Sequence, residues 1–142
     1  MLVKDIMSKR LVMVGPKETV FAAVKIMVEN NISGVVVSEN NQAVGIITTK
    51  DICKRVLIFG KDVHATPIGD VMSKPVLTVS GLLSVESAAK IMGQRKVKRL
   101  VVVDEYNKVE GIVTIMDVVS NLPGMLDIMF QTWVRPDWRK QA

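Results

Sequence analysis

The chain has 142 residues, of which 49% are hydrophobic and 23% charged, and its net charge at pH 7 is +5. This composition predicts a packed globular protein that favours anionic partners, and it excludes an intrinsically disordered chain. No apolar run approaches the ~20 residues that a membrane-spanning helix needs, and the single cysteine and unremarkable N-terminal sequence predict a protein of the reducing cytoplasm.

Two stretches of the chain predict the same order of elements: strand, helix, strand, strand, helix. In the first stretch these are a strand at 11–14, a helix capped by Thr19, strands at 35–37 and 44–48, and a helix from Thr49 to about Gly60. In the second they are a strand at 76–79, a helix capped by Ser84, strands at 100–103 and 109–114, and a helix from Ile115 to just before Pro123. Helical apolar spacing, helix caps and β-branched runs support these assignments.

The two stretches are copies of one sequence, covering residues 3–53 and 68–119. Each copy begins with Asp-Ile/Val-Met-Ser-Lys and ends with Gly-Ile-Ile/Val-Thr-x-x-Asp. A copy of this length would have a marginal core on its own, so we expect the two halves to share one. The predicted organisation is a first repeat (1–60), a linker (61–67), a second repeat (68–122) and a C-terminal segment (123–142).

Residues outside these motifs carry weaker predictions. In the C-terminal segment an apolar face at helical spacing predicts a short amphipathic helix; its residues are Leu126, Met129, Phe130 and Trp133. Cys53 is expected to be buried as a small hydrophobic residue. His64, Lys50 and Arg55 are expected to face water.

Each repeat ends with a threonine and an aspartate three residues apart at a strand-to-helix junction, Thr48 with Asp51 and Thr114 with Asp117. The free N–H groups of a helix N-terminus suit a phosphate, and a carboxylate one turn later can accept from both hydroxyls of a ribose. The same spacing is that of a capping box, which needs no ligand. From the residues alone, both interpretations stay open.

Both repeats resemble the CBS domain, and the pair resembles the tandem CBS, or Bateman, module over about residues 3–122. The resemblance implies an α/β fold of two βαββα repeats paired about a pseudo-two-fold axis, with two clefts between them. It also implies that the aspartates hold the ribose, and that the threonines lie near the phosphates, of an adenine nucleotide such as AMP or ATP. An apolar slot for the base is implied where the first strands begin, including Val12 and Leu77, for which core packing is the alternative.

The two copies differ at the start of their middle strand, where the second has Lys98 and Arg99 and the first has Ser33 and Gly34. The stretch 98–104 resembles the phosphate-contacting region of the γ subunit of AMP-activated protein kinase, with lysine standing where histidine is found. The resemblance implies that Lys98 and Arg99 contact phosphate. Ser33 and Gly34 would offer only a hydroxyl and backbone groups.

The sequence shows no set of residues typical of an enzyme. One histidine, one cysteine and no clustered carboxylates leave no visible nucleophile, acid–base pair or metal site. We expect a stand-alone regulatory module, a homodimer, that senses AMP, ADP or ATP and signals in trans to a protein effector. The alternatives are a nucleic-acid-binding protein, disfavoured by only 4% aromatic residues and dispersed charge, and a structural dimerisation module with empty clefts.

Overall fold

The computed structural model describes residues 1–122 and residue 124. Its helices and strands, in chain order, are α1 (Val3–Ile6), β1 (Met13–Val14), α2 (Val20–Asn30), β2 (Gly34–Glu39), β3 (Gln42–Thr48), α3 (Thr49–Ile52), β4 (Thr78–Ser80), α4 (Val85–Arg95), β5 (Arg99–Val103), β6 (Val109–Thr114) and α5 (Ile115–Asn121). A π-helical segment, Cys53–Leu57, continues α3. The predicted α/β class and element order are confirmed, whereas the short helix α1 was not predicted. The helix predicted at 126–133 lies outside the described residues.

Two three-stranded sheets, β1-β2-β3 and β4-β5-β6, organise the chain. In each sheet the first strand runs parallel to the middle strand, and β2 and β3 form an antiparallel hairpin. Four consecutive residues of β2, from Gly34 to Val37, are buried, as expected for a strand covered on both faces. The predicted apolar face of α2 is also confirmed, because Val20, Ala23 and Met27 are buried against this sheet.

The chain divides into two compact units that do not coincide with the sequence repeats. The first unit contains residues 11–77 and 107–109, and the second contains residues 1–10, 78–106 and the described residues from 110 onward. The segment that opens each repeat therefore packs in the unit built mainly from the other repeat. No helix within the described part of the chain has the length and hydrophobicity to cross a bilayer.

Backbone hydrogen bonds hold each opening segment in place. In the first unit Ser73 and Ile46 exchange two N–H···O bonds of 2.8 and 3.0 Å, and in the second unit Ser8 and Ile112 exchange two of 2.9 and 3.1 Å. These bridges join the Asp-x-Met-Ser motif of one repeat to the Gly-Ile-Ile/Val-Thr motif of the other. The motif that opens one repeat therefore packs against the motif that closes the other.

The glycine of each motif is required because a methionine covers it. A Cβ added at Gly45 would collide with the side chain of Met72, and one added at Gly111 would lie 2.7 Å from Met7 Sδ. The close approach of the two chain segments thus depends on glycine having no side chain. The backbone bridges and the methionine contacts thus give both motifs the same structural role in each unit.

We expect Gly111→Ala to destabilise the protein more than Gly45→Ala. At Gly111 the new Cβ would lie 2.8 Å from the carbonyl oxygen of Ser8, a backbone atom fixed by the bridge, whereas at Gly45 the close atoms belong to the flexible Met72 side chain. The loss of unfolding free energy should be about 1–3 kcal/mol at Gly111 and smaller at Gly45. Urea denaturation measures both, and equal losses would contradict the argument from backbone rigidity.

Two predictions about single residues need correction or extension. Cys53 is exposed, not buried, because the buried face of its helical segment passes through Ile52 and Val56. His64 is exposed as predicted, but its ring also lies against Phe21, with 4.2 Å between ring centroids.

Candidate functional site

Both Thr-x-x-Asp motifs form capping boxes. Thr48 donates from its N–H and its hydroxyl to Asp51 Oδ2, at 3.1 and 3.0 Å, and its Oγ1 accepts from the Asp51 N–H at 3.1 Å. The same three bonds join Thr114 and Asp117, at 2.8, 3.0 and 3.3 Å. Capping therefore uses one carboxylate oxygen of each aspartate, Oδ2. What distinguishes the two motifs is the surroundings of the other oxygen, Oδ1.

The helix N-termini offer a phosphate less than the sequence suggests. The N–H of the first helical residue, Thr49 or Ile115, donates to the carbonyl oxygen of Ser33 or Lys98, at 3.0 and 2.9 Å. With the two N–H groups used in each capping box, three N–H groups at each junction are already paired within the protein. A phosphate at either junction would therefore depend more on side chains than on the helix N-terminus.

Asp51 has protein partners for both carboxylate oxygens. Ser73 donates from Oγ to Asp51 Oδ1 at 2.8 Å, and Arg55 Nη1 lies 4.0 Å from the same oxygen. Arg55 also donates to the carbonyl oxygens of Val71 and Met72, at 3.1 and 2.9 Å. The residue Asp51 is only 4% exposed, so its charge is compensated inside the first unit rather than by water.

Asp117, by contrast, keeps an oxygen available. It is half-buried, and no side chain among the described residues donates to its Oδ1. Asn121, which occupies the position of Arg55 in the repeat, instead donates to the backbone carbonyl oxygen of Asp117 at 2.7 Å. Ser8, which occupies the position of Ser73, is exposed. The second motif therefore retains the chemistry that a ribose diol needs, an open carboxylate oxygen.

Two cationic residues lie beside the second motif. Lys98 is exposed and directly precedes β5, while Arg99 begins β5 and is half-buried. Burial lowers the pKa of Arg99 from its ordinary value, yet a guanidinium stays charged near neutral pH. The bond from the Ile115 N–H to the Lys98 carbonyl ties the start of β5 to the start of α5. This bond places the backbone of Lys98 next to the junction that carries Thr114 and Asp117.

The first-copy residues are arranged differently. Gly34 is buried and pairs with Thr48 in the register of β2 and β3, and Ser33 is exposed just before it. Val12 and Leu77 directly precede β1 and β4, and both are half-buried. They are thus partly accessible apolar groups rather than fully buried core residues.

Ser73 and Arg55 were not predicted to belong to either site. The prediction that Arg55 faces water is incomplete: its side chain is 40% exposed, but its guanidinium donates to two backbone carbonyl groups. The i, i+4 spacing of Asp51 and Arg55 was the available signal, since oppositely charged side chains four residues apart meet on a helix. Nothing in a single sequence indicated that Ser73 packs against the other repeat. Within the described residues, no three His, Cys, Asp or Glu side chains form a group that could hold a metal ion.

Comparison with known proteins identifies the family. The model of the CBS domain matches residues 3–58 and 68–124. The chain belongs to the CBS domain family. It is 34% identical over 119 residues to the CBS domain-containing protein YhcV of Bacillus subtilis, which covers 84% of each chain. The resemblance stated from the two sequence motifs is therefore confirmed.

Two solved CBS structures similar to this chain contain adenosyl ligands. The CBS domain pair of protein MJ0100, in complex with 5′-methylthioadenosine and S-adenosyl-L-methionine, is 32% identical with a TM-score of 0.78, over 87% of this chain and 97% of that one. CBSX2 in complex with AMP is 29% identical with a TM-score of 0.75, over 87% and 97% of the two chains. These ligands have in common an adenosine carrying different 5′ groups.

Proposed function

We propose that this protein is a non-catalytic regulatory module that binds an adenine nucleotide at the second Thr-x-x-Asp motif. The observation that carries the proposal is the open carboxylate oxygen of Asp117, on a helix whose first residue is bonded to the backbone of Lys98. The ligands of the similar CBS structures support it, because all of them present a ribose diol. We further propose that binding is signalled in trans to a protein effector in the cytoplasm.

In the proposed complex, Asp117 accepts hydrogen bonds from the ribose hydroxyl groups through Oδ1 while Oδ2 continues to cap α5. Thr114, in turn, lies near the phosphates. Lys98 and Arg99 favour an anionic 5′ group, since charge-assisted hydrogen bonds are roughly twice as strong as neutral ones. On this basis AMP, ADP and ATP should bind more tightly than 5′-methylthioadenosine, which has no phosphate, or S-adenosylmethionine, whose sulfonium is cationic. The apolar slot at Val12 and Leu77 stays a prediction of the family resemblance.

The direct test is calorimetric titration of the purified protein with AMP, ADP, ATP, 5′-methylthioadenosine and S-adenosylmethionine, together with mass spectrometry of small molecules released on denaturation. We expect a bound adenine nucleotide and tighter binding of the phosphorylated ligands. A single-stranded oligonucleotide serves as the comparison for the nucleic-acid alternative, for which binding would fall steeply with added salt. No binding of any adenosyl ligand would reject the proposed function and favour the structural dimerisation module.

We also propose that the protein is a homodimer. In the first unit three consecutive apolar side chains are exposed at the end of the helical segment, Leu57 by 59%, Ile58 by 76% and Phe59 by 71%, and a contiguous apolar patch marks an interaction surface. We expect twice the chain mass in solution at micromolar concentration, and a shift to the monomer mass in Ile58→Asp. A monomeric mass for the unaltered protein, unchanged on deletion of residues 124–142, would reject the dimer.

A further inference from the structure

We infer that Asp51 is a structural latch and not a second ribose ligand, so that each chain has one adenosyl site, at Asp117. The latch consists of Asp51, Ser73 and Arg55. The inference has two parts. The assignment of one adenosyl site per chain rests on the proposed function, whereas the structural role of Asp51 depends only on contacts within the first unit.

Both carboxylate oxygens of Asp51 already have protein partners, and the residue is only 4% exposed. Oδ2 accepts the two capping bonds from Thr48, and Oδ1 accepts from Ser73 Oγ at 2.8 Å. A ribose hydroxyl group would have to reach a buried oxygen and share it with, or displace, the charge-assisted hydrogen bond from Ser73. The backbone of Ser73 is fixed beside Asp51, because its N–H and carbonyl are both bonded to Ile46.

The second copy provides an internal comparison for this arrangement. Ser8 is held by the same kind of backbone bridge as Ser73, so the backbone alone does not create the latch. The difference lies at the position where the first copy has Arg55 and the second has Asn121. Arg55 is long enough to reach the carbonyl groups of the opening segment, whereas Asn121 bonds within its own helix.

The two copies of the motif therefore have different roles, structural at Asp51 and ligand-binding at Asp117. The Asp51 latch fastens the opening segment, through Ser73, to the helix that follows β3. Asp117 makes no such connection among the described residues and keeps its Oδ1 open. A sensor with one site per chain has no cooperativity between two sites of the same chain, so any cooperativity would have to arise between protomers.

Thermal melts of the full chain test the latch, and calorimetric titrations of the full chain with AMP test the assignment of one site per chain. Asp51→Ala should lower the Tm of the apo protein by at least about twice the decrease caused by Asp117→Ala, because it removes the acceptor of Ser73 Oγ and the counter-charge of Arg55 as well as the cap. The milder variant Ser73→Ala, which deletes one hydroxyl group, should also lower the Tm. For the unaltered protein, Asp51→Ala and Ser73→Ala we expect one AMP per chain and equal affinities within about threefold.

Two AMP molecules per chain, with the second lost in Asp51→Ala, would overturn the single-site assignment. Equal decreases in Tm for Asp51→Ala and Asp117→Ala would overturn the latch, whether or not AMP binds. Absence of AMP binding to the unaltered protein would instead reject the proposed function, and the melts would still decide the latch. Should Asp51→Ala fail to fold, Ser73→Ala supplies both measurements.

Discussion

Replacing both Lys98 and Arg99 by alanine should weaken AMP binding at least about a hundredfold. A hydrogen bond to a charged group contributes ~1.5–3 kcal/mol, and two such bonds to the phosphate together correspond to a factor of at least about one hundred in Kd. Lys98→Ala alone should account for roughly a tenfold loss, and because Lys98 is exposed this single variant should keep its Tm. Calorimetric titration with AMP measures all of these affinities.

Two comparisons show whether the effect arises at the phosphate. The affinity for 5′-methylthioadenosine, which has no phosphate, should change by less than about threefold in the double variant. The matched first-copy variant, Ser33→Ala with Lys50→Ala, should leave AMP binding nearly unaltered, since both residues belong to the copy whose aspartate is bonded to Ser73. A larger loss in the first-copy variant than in Lys98→Ala with Arg99→Ala would show that the phosphate lies at the other copy.

Much of the fold was predictable because local patterns and tertiary packing agree. The caps at Thr19 and Ser84 accept from Ala22 and Ser87 as the sequence indicates. The apolar spacing of the two long helices gives their buried faces, and the apolar runs in β2 and β5 correspond to strands with consecutive buried residues. These features depend on residues close together in sequence, which is why periodicity is sufficient to find them.

The exchange of opening segments was not predictable from one sequence. Ser73 and Ile46 are 27 positions apart (73 − 46) and belong to different repeats. Neither motif contains a local pattern that indicates packing against the other. The difference between the two aspartates follows from this exchange. Both motifs have the spacing of a capping box and of a ribose site, and the structure shows that the box forms in both. Only the neighbours of Oδ1 separate a latched carboxylate from an open one.

Capping and ligand binding therefore do not exclude each other at Asp117, and Asp117→Asn separates them. The amide oxygen of asparagine can still accept from the Thr114 N–H, so the apo protein should lose only the ~0.3–1 kcal/mol that a negative charge contributes in the first turn of a helix, and its Tm should change little. The negative charge at the position of Oδ1 is lost. Affinity for AMP and for 5′-methylthioadenosine should therefore fall together by at least about tenfold, since both ligands present the same ribose diol.

The control for this variant is Ser84→Ala, which removes the N-cap of α4, a helix whose cap bonds only to its own first turn. It should cost ~0.5–2 kcal/mol of unfolding free energy and leave both affinities unaltered. Thermal melts and calorimetric titrations should therefore give opposite results for the two variants. Asp117→Asn should be stable and bind weakly, whereas Ser84→Ala should be less stable and bind normally. If Asp117→Asn binds both ligands like the unaltered protein, Asp117 is only a cap, because an open carboxylate oxygen that held the ribose could not be replaced without loss.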